Sequence, residues 1–253
     1  MTPMPDQSAS SHPQPGQGGA HGARDADGKP DSVGKPDAVA KADAVTKAHA
    51  IYTPASLSFY DLAVHGLSNR FAWRCPTSNI LGLYRRHLSV NHLEAAVGTG
   101  LFLDRVGTAF DRLVLLDINP HCLNVSGRRL RRFKPECRQA DLLEPLTLDV
   151  EPFTSVGLTY VLHCLPGSMA EKLVVLDHLK PFIAQGAMLF GATILGDGIQ
   201  PSGPASALLN VYNAKGVFNN TEDNLAALID GLKQRFEHVN VAQHGLVALF
   251  SAR

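Results

Sequence analysis

Between His92 and Asp117 the chain carries two apolar runs, HLEAAV and RLVLLD; the first leads into Gly98-Thr99-Gly100 and the second ends in an acid seventeen residues after Gly100. Short apolar runs bounded by glycine read as buried strands. Residues 101–109 between them fit a helix, so the unit is strand, glycine turn, helix, strand. Parallel strands need a crossover long enough to hold such a helix, which makes the two runs parallel neighbours in one sheet.

The alternation continues along the chain. A helix is predicted from about Pro120 to Phe133, a short strand near Cys137–Ala140 and a buried strand over Thr154–Leu162. A helix follows over Ser168–Leu179, opened by the capping-box pair Ser168 and Glu171 and stopped by Pro181. The fifth strand starts at Ala187. Thr221 is the expected cap of a last helix, with Glu222 and Asp223 in its first turn. HVNVAQHG and LVALFSAR, joined at Gly245, must pair antiparallel across so short a turn. The prediction is an α/β fold: a doubly wound, mostly parallel seven-stranded sheet with an antiparallel C-terminal edge strand, preceded by N-terminal helices over 51–90. Residues 196–220 interrupt the alternation and read as an insertion over the site. The run Arg128, Arg129, Arg131, Arg132 reads as a solvated face.

Residues 1–50 contain no Leu, Ile, Phe, Tyr or Trp and hold the degenerate hexads GKPDSV, GKPDAV and AKADAV. A segment so poor in apolar surface cannot offset the entropy of ordering it, so a disordered low-complexity tail is expected, with one domain over 51–253. The 23 basic and 23 acidic residues balance. That removes the positive field needed to hold nucleic acid or an anionic membrane. No apolar stretch has the length of a membrane span or the character of a signal peptide, and cytoplasmic residence is the expectation. Cys75, Cys122, Cys137 and Cys164 form no C-x-x-C pair and read as reduced, with Cys164 close to the expected site. No metal site is expected, and a homodimer stays open.

Gly98 and Gly100 let a ligand approach the backbone where the following helix presents unpaired N–H groups. Asp117, at the next strand end, can accept both hydroxyls of a ribose, and Asp141, after the third strand, can accept from an adenine amino group. Three strand ends lining one crevice are where an open α/β sheet binds its ligand.

From about Tyr60 to Arg253 these motifs resemble the class I S-adenosylmethionine-dependent methyltransferases. The family's acid-x-Gly-x-Gly-x-Gly motif matches Glu94, Gly98 and Gly100, with Ala96 in place of the first glycine. The resemblance implies S-adenosyl-L-methionine as cofactor, with Asp117 at the ribose, Asp141 and Leu142 beside the adenine, Tyr160 to His163 at the methionine end, and Ile118 as a further cofactor-binding residue. The fourth strand lacks the Asn/Asp-Pro-Pro-aromatic signature used on amide or base nitrogens, which favours a small-molecule acceptor, a secondary metabolite methylated on oxygen. A hydroxyl acceptor needs a base, and His163 is the candidate. Tyr60 and Arg74 are candidates to close over the cofactor, Arg74 by pairing with its carboxylate. His65, Trp73, Tyr212 and Asn213 are candidates to face the acceptor. Ordinary packing is the alternative for each.

Two other functions compete. A nicotinamide-dependent oxidoreductase shares the two glycines and the acid, but Leu103 stands where a third glycine would be needed and Asp141 would have no role. A protein of the same fold could also bind the cofactor as a binding module or cyclase-like catalyst without methylation.

Overall fold

A computed structural model describes residues 68–253. The expectations for the tail over 1–50 and for the first part of the helical cap, with Tyr60 and His65, fall outside the described residues.

Each apolar run forms a strand. In chain order the elements are α1 (Thr77–His87), β1 (Asn91–Ala95), α2 (Leu101–Val106), β2 (Arg112–Asp117), α3 (Pro120–Arg129), β3 (Glu136–Gln139) and β4 (Phe153–Thr159). Then come α4 (Met169–Lys172), α5 (Val174–Leu179), β5 (Ile183–Ile194), α6 (Gly203–Ala214), α7 (Leu225–Lys233), β6 (Val239–His244) and β7 (Val247–Ala252). They build one seven-stranded sheet in the order β3-β2-β1-β4-β5-β7-β6.

β1 to β5 are mutually parallel. The antiparallel C-terminal pair lies at the β5 side, and the reversed strand is β7, inserted between β5 and β6. Burial explains that order. β7 is buried at every position, whereas β6 exposes Asn240, Ala242, Gln243 and His244, which suits an outermost strand.

The period-2 alternation of the strands feeds two cores. Leu113 and Leu115 of β2 join Phe190 and Leu249 on the face covered by α1, α2 and α3, while Val114 and Leu116 join Leu189 and Phe250 under α5 and α7. Each such leucine removed from water contributes about 2 kcal/mol.

Four helix expectations need correction. The helix expected over 101–109 stops at Val106, where Gly107 turns left-handed. The helix over Ser168–Leu179 keeps its capping box but breaks at Leu173, which lies against Gly231 of α7, where a side chain would collide with it. The helix from Pro120 ends at Arg129, and a 3-10 turn carries the chain through Phe133. The cap of α7 is Asn224, whose side chain accepts from the Ala227 N–H; Asp223 turns inward instead, so Thr221 has no capping role. Among the described residues no helix is long and apolar enough to cross a membrane, and no three His, Cys, Asp or Glu side chains gather as a metal site.

Candidate functional site

Strand order reverses between β1 and β4, and each strand is followed there by a residue of left-handed backbone that is not glycine: Ala96 at φ 55° and Tyr160 at φ 61°. Such conformations are costly for residues with a Cβ and concentrate where a site requires them. The glycine loop follows Ala96 directly. Gly98 has φ 55°, and a side chain there would meet nothing within 4 Å, so the space in front of it is open. Gly100 serves a different end: at φ 72° it caps α2, and a Cβ would press on Leu130 at 3.0 Å and Ser126 at 3.2 Å. One glycine opens the crevice; the other lets α3 pack beside it.

Asp117 sits at the rim of this opening. Its buried carboxylate accepts the Gly98 N–H at 3.0 Å and the Asn119 N–H at 2.9 Å, tying the loop to the end of β2. Ile118 is half-buried beside it. The Ala140 N–H donates to the Asp117 carbonyl, which carries Asp141 and Leu142 to the same rim. Asp141 is half-buried and accepts from the Leu143 N–H at 2.9 Å; Leu142 is buried and its carbonyl accepts from His178. Gly98 is thus tied to Asp117 directly, and the segment carrying Asp141 and Leu142 is tied to Asp117 through Ala140. The Arg128–Arg132 run is only partly a solvated face, because Arg129 donates to the Thr99 carbonyl of the loop and Arg132 pairs with Asp104.

Glu94 does not join those contacts. Its buried carboxylate accepts from the Tyr84 hydroxyl of α1 and contacts His92 at 2.9 Å. Gly157, opposite it on β4, makes the slot it fills; a side chain there would meet the carboxylate at 2.5 Å.

Beyond β4, a 3-10 turn at Leu162–Cys164 buries His163. Its Nδ1 accepts from the Ile194 N–H and lies equally close to Thr193 Oγ1, both at 3.4 Å. Burial, then the charge of Lys172, pushes its pKa down to about 3. The imidazole is therefore neutral with its proton on Nε2, a poor arrangement for removing a proton. Burial also pushes the Cys164 thiol up to about 12, an inert state.

An aromatic cluster extends from this turn. Phe218 packs edge-on against His163 at 4.6 Å, on Tyr212 at 4.8 Å and on Trp73 at 5.9 Å. Trp73 is fully buried, its carbonyl accepting from Leu246. Asn213 spends its amide on Leu209 and Asn220, so it braces the end of α6. Arg74 is exposed and lies against Gly245 at the β6–β7 turn. The next residue, Cys75, donates its N–H to the Asn69 carbonyl, and Asn69 accepts from the Tyr160 hydroxyl, so Arg74 stands on a segment that borders the end of β4. Phe218 and Tyr84 had no signal in the sequence: the first follows an irregular turn, and the second reads as one more apolar position of a helix.

No protein-family profile matches the chain. It is 37% identical over 203 residues to a Streptomyces thioluteus protein named demethylluteothin O-methyltransferase, covering 79% of this chain and 88% of that one. A protein of Aspergillus chevalieri named physcion biosynthesis cluster O-methyltransferase is 34% identical over 206 residues, covering 80% of this chain and 92% of that one. The solved complex of DhpI with S-adenosylhomocysteine shares the fold at a TM-score of 0.60 and 17% identity, covering 83% of this chain and 96% of that one. With the glycine loop, the acid of β2 and the sheet order all in place, the chain belongs to the class I S-adenosylmethionine-dependent methyltransferases.

Proposed function

We propose that the acceptor is a planar aromatic small molecule methylated on a hydroxyl oxygen. The observation that carries this reading is Tyr212, the half-buried ring at the margin of the buried Trp73–Phe218–His163 cluster beyond the end of β4. A partly exposed aromatic ring held in place by buried ones can meet a flat ligand through offset and edge contacts. Two relatives whose names specify O-methylation support oxygen as the target.

In this reading Gly98 lets the cofactor approach the backbone, Asp117 accepts from its ribose hydroxyls, Ile118 and Leu142 flank its adenine, Asp141 accepts the adenine amino group and Tyr160 borders its methionine end. The cofactor supplies a methyl carbon already activated by a sulfonium. The chain's task is then to align the acceptor oxygen and exclude water. His163 contributes as a neutral donor from Nε2 that orients the acceptor oxygen, not as the general base its place in the sequence suggests. A phenolic hydroxyl, with a pKa of about 10, can give its proton to bulk solvent before the site closes and enter the transfer as phenolate. Residues 196–220, carrying α6, close the acceptor side of a domain spanning 51–253. Neutral net charge supports a small molecule over nucleic acid as the substrate.

The test is incubation with S-adenosylmethionine and a panel of hydroxylated aromatics, 1,4-dihydroxy-2-naphthoic acid among them, with amine and thiol analogues alongside. S-adenosylhomocysteine release together with an O-methylated product is expected. Turnover confined to amines or thiols, or none from a protein that binds the cofactor, overturns the assignment.

A further inference from the structure

Under the crevice runs a buried chain of side-chain hydrogen bonds that methyl transfer does not itself require. The Tyr84 hydroxyl of α1 donates to Glu94 of β1 and lies 3.1 Å from the hydroxyl of Thr159, the last residue of β4. Glu94 also meets His92, which meets Ser155 of β4 at 2.8 Å. All five groups are buried. One phenol thus ties together the two strands whose ends form the crevice. Glu94 stands two residues before left-handed Ala96, and Thr159 stands immediately before left-handed Tyr160.

Each turn is held from its far side as well. After Ala96, the Val97 N–H donates to Leu116 and the Gly98 N–H to Asp117. At Tyr160, the N–H donates to Ala192 at 2.7 Å and the hydroxyl to Asn69 at 2.9 Å. A conformation that a residue with a Cβ resists persists only when its surroundings over-determine it. Tyr84 is the contact shared by both turns.

We propose that the Tyr84 hydroxyl is a positioning group for cofactor binding: by joining Glu94 to Thr159 it holds the strand ends so that Ala96 and Tyr160 keep the left-handed backbone that shapes the crevice. The family's glycine at the position of Ala96 would reach that backbone without help, since glycine populates positive φ freely. Here alanine occupies it, and the network supplies the constraint.

The experiment is a double-mutant cycle read by calorimetric titration with S-adenosylhomocysteine, well below the melting temperature of every variant. Tyr84→Phe keeps the ring and deletes the hydroxyl. It is expected to weaken binding about tenfold in the native background and less than about threefold in the Ala96→Gly background, because a glycine there no longer needs the constraint. General loss of stability would lower the melting temperature in both backgrounds without such coupling in the dissociation constant. An equal loss of affinity in both backgrounds, or none in either, overturns the proposal. Should Tyr84→Phe fail to fold, Thr159→Val removes the other bond to the same hydroxyl with little change of shape and runs through the same cycle under the same criteria.

Discussion

His163 shows how far burial can change what a side chain does. Free histidine titrates near 6.5, while in the fold burial and Lys172 bring it to about 3. Between those values the unfolded chain binds a proton that the folded chain does not, so this residue's contribution to stability falls as pH drops from about 6.5 toward 3. It should remove on the order of 1 kcal/mol between pH 7.5 and pH 5.5. His163→Gln is expected to flatten the stability difference between those two pH values by that amount in urea unfolding. An unchanged difference would mean that the imidazole titrates normally and that the general-base role is open again. The sequence places this histidine correctly, just after the fourth strand, but its protonation depends on neighbours from β5 and α4 that no local pattern reveals. Glu94 makes the same point: its place in the motif is plain, yet its partners come from α1 and from its neighbour on the strand.

At the scale of elements, strands were more legible than helix ends. RLVLLD coincides with β2, because continuous burial on both faces leaves an unbroken apolar run with a clear limit. β4 stops at Thr159, short of the expected Leu162, since the left-handed turn at Tyr160 leaves no mark on an apolar sequence. The start of α7 was misplaced by a genuine competition between caps. Thr221, Asp223 and Asn224 are all good N-cap residues. The winner is decided by Lys172, fully buried in α4, whose ammonium contacts both oxygens of Asp223 at 2.7 Å and removes that carboxylate from the contest. Asn224→Ala should therefore cost about 1 kcal/mol of unfolding free energy while Thr221→Ala leaves it nearly unchanged. Denaturant midpoints of the two variants check this, and the reverse order would restore Thr221 as the cap.

On the scale of the whole molecule, cofactor binding and folding are linked, because the crevice exists only when β1, β2 and β4 are assembled. S-adenosylhomocysteine at a hundred times its dissociation constant should raise unfolding free energy by about 2.7 kcal/mol, measured by urea unfolding with and without ligand. A protein that binds the ligand yet gains no stability would have to bind it equally well unfolded.

What the amino-acid order determined alone is the repeating strand–helix unit, the parallel sheet and the placing of Gly98, Asp117 and Asp141 after successive strands. Those follow from local rules: apolar periodicity, glycine where backbone must be approached, and acids at strand ends. Tertiary structure alone decided that β7 slips between β5 and β6, that Glu94 faces α1, that Arg74 lies against the β6–β7 turn, and that Phe218 gathers Trp73, Tyr212 and His163 into one cluster. Each of those outcomes depends on which distant segments share a layer. Competition for buried space and for hydrogen-bond partners settles that only once the sheet has closed.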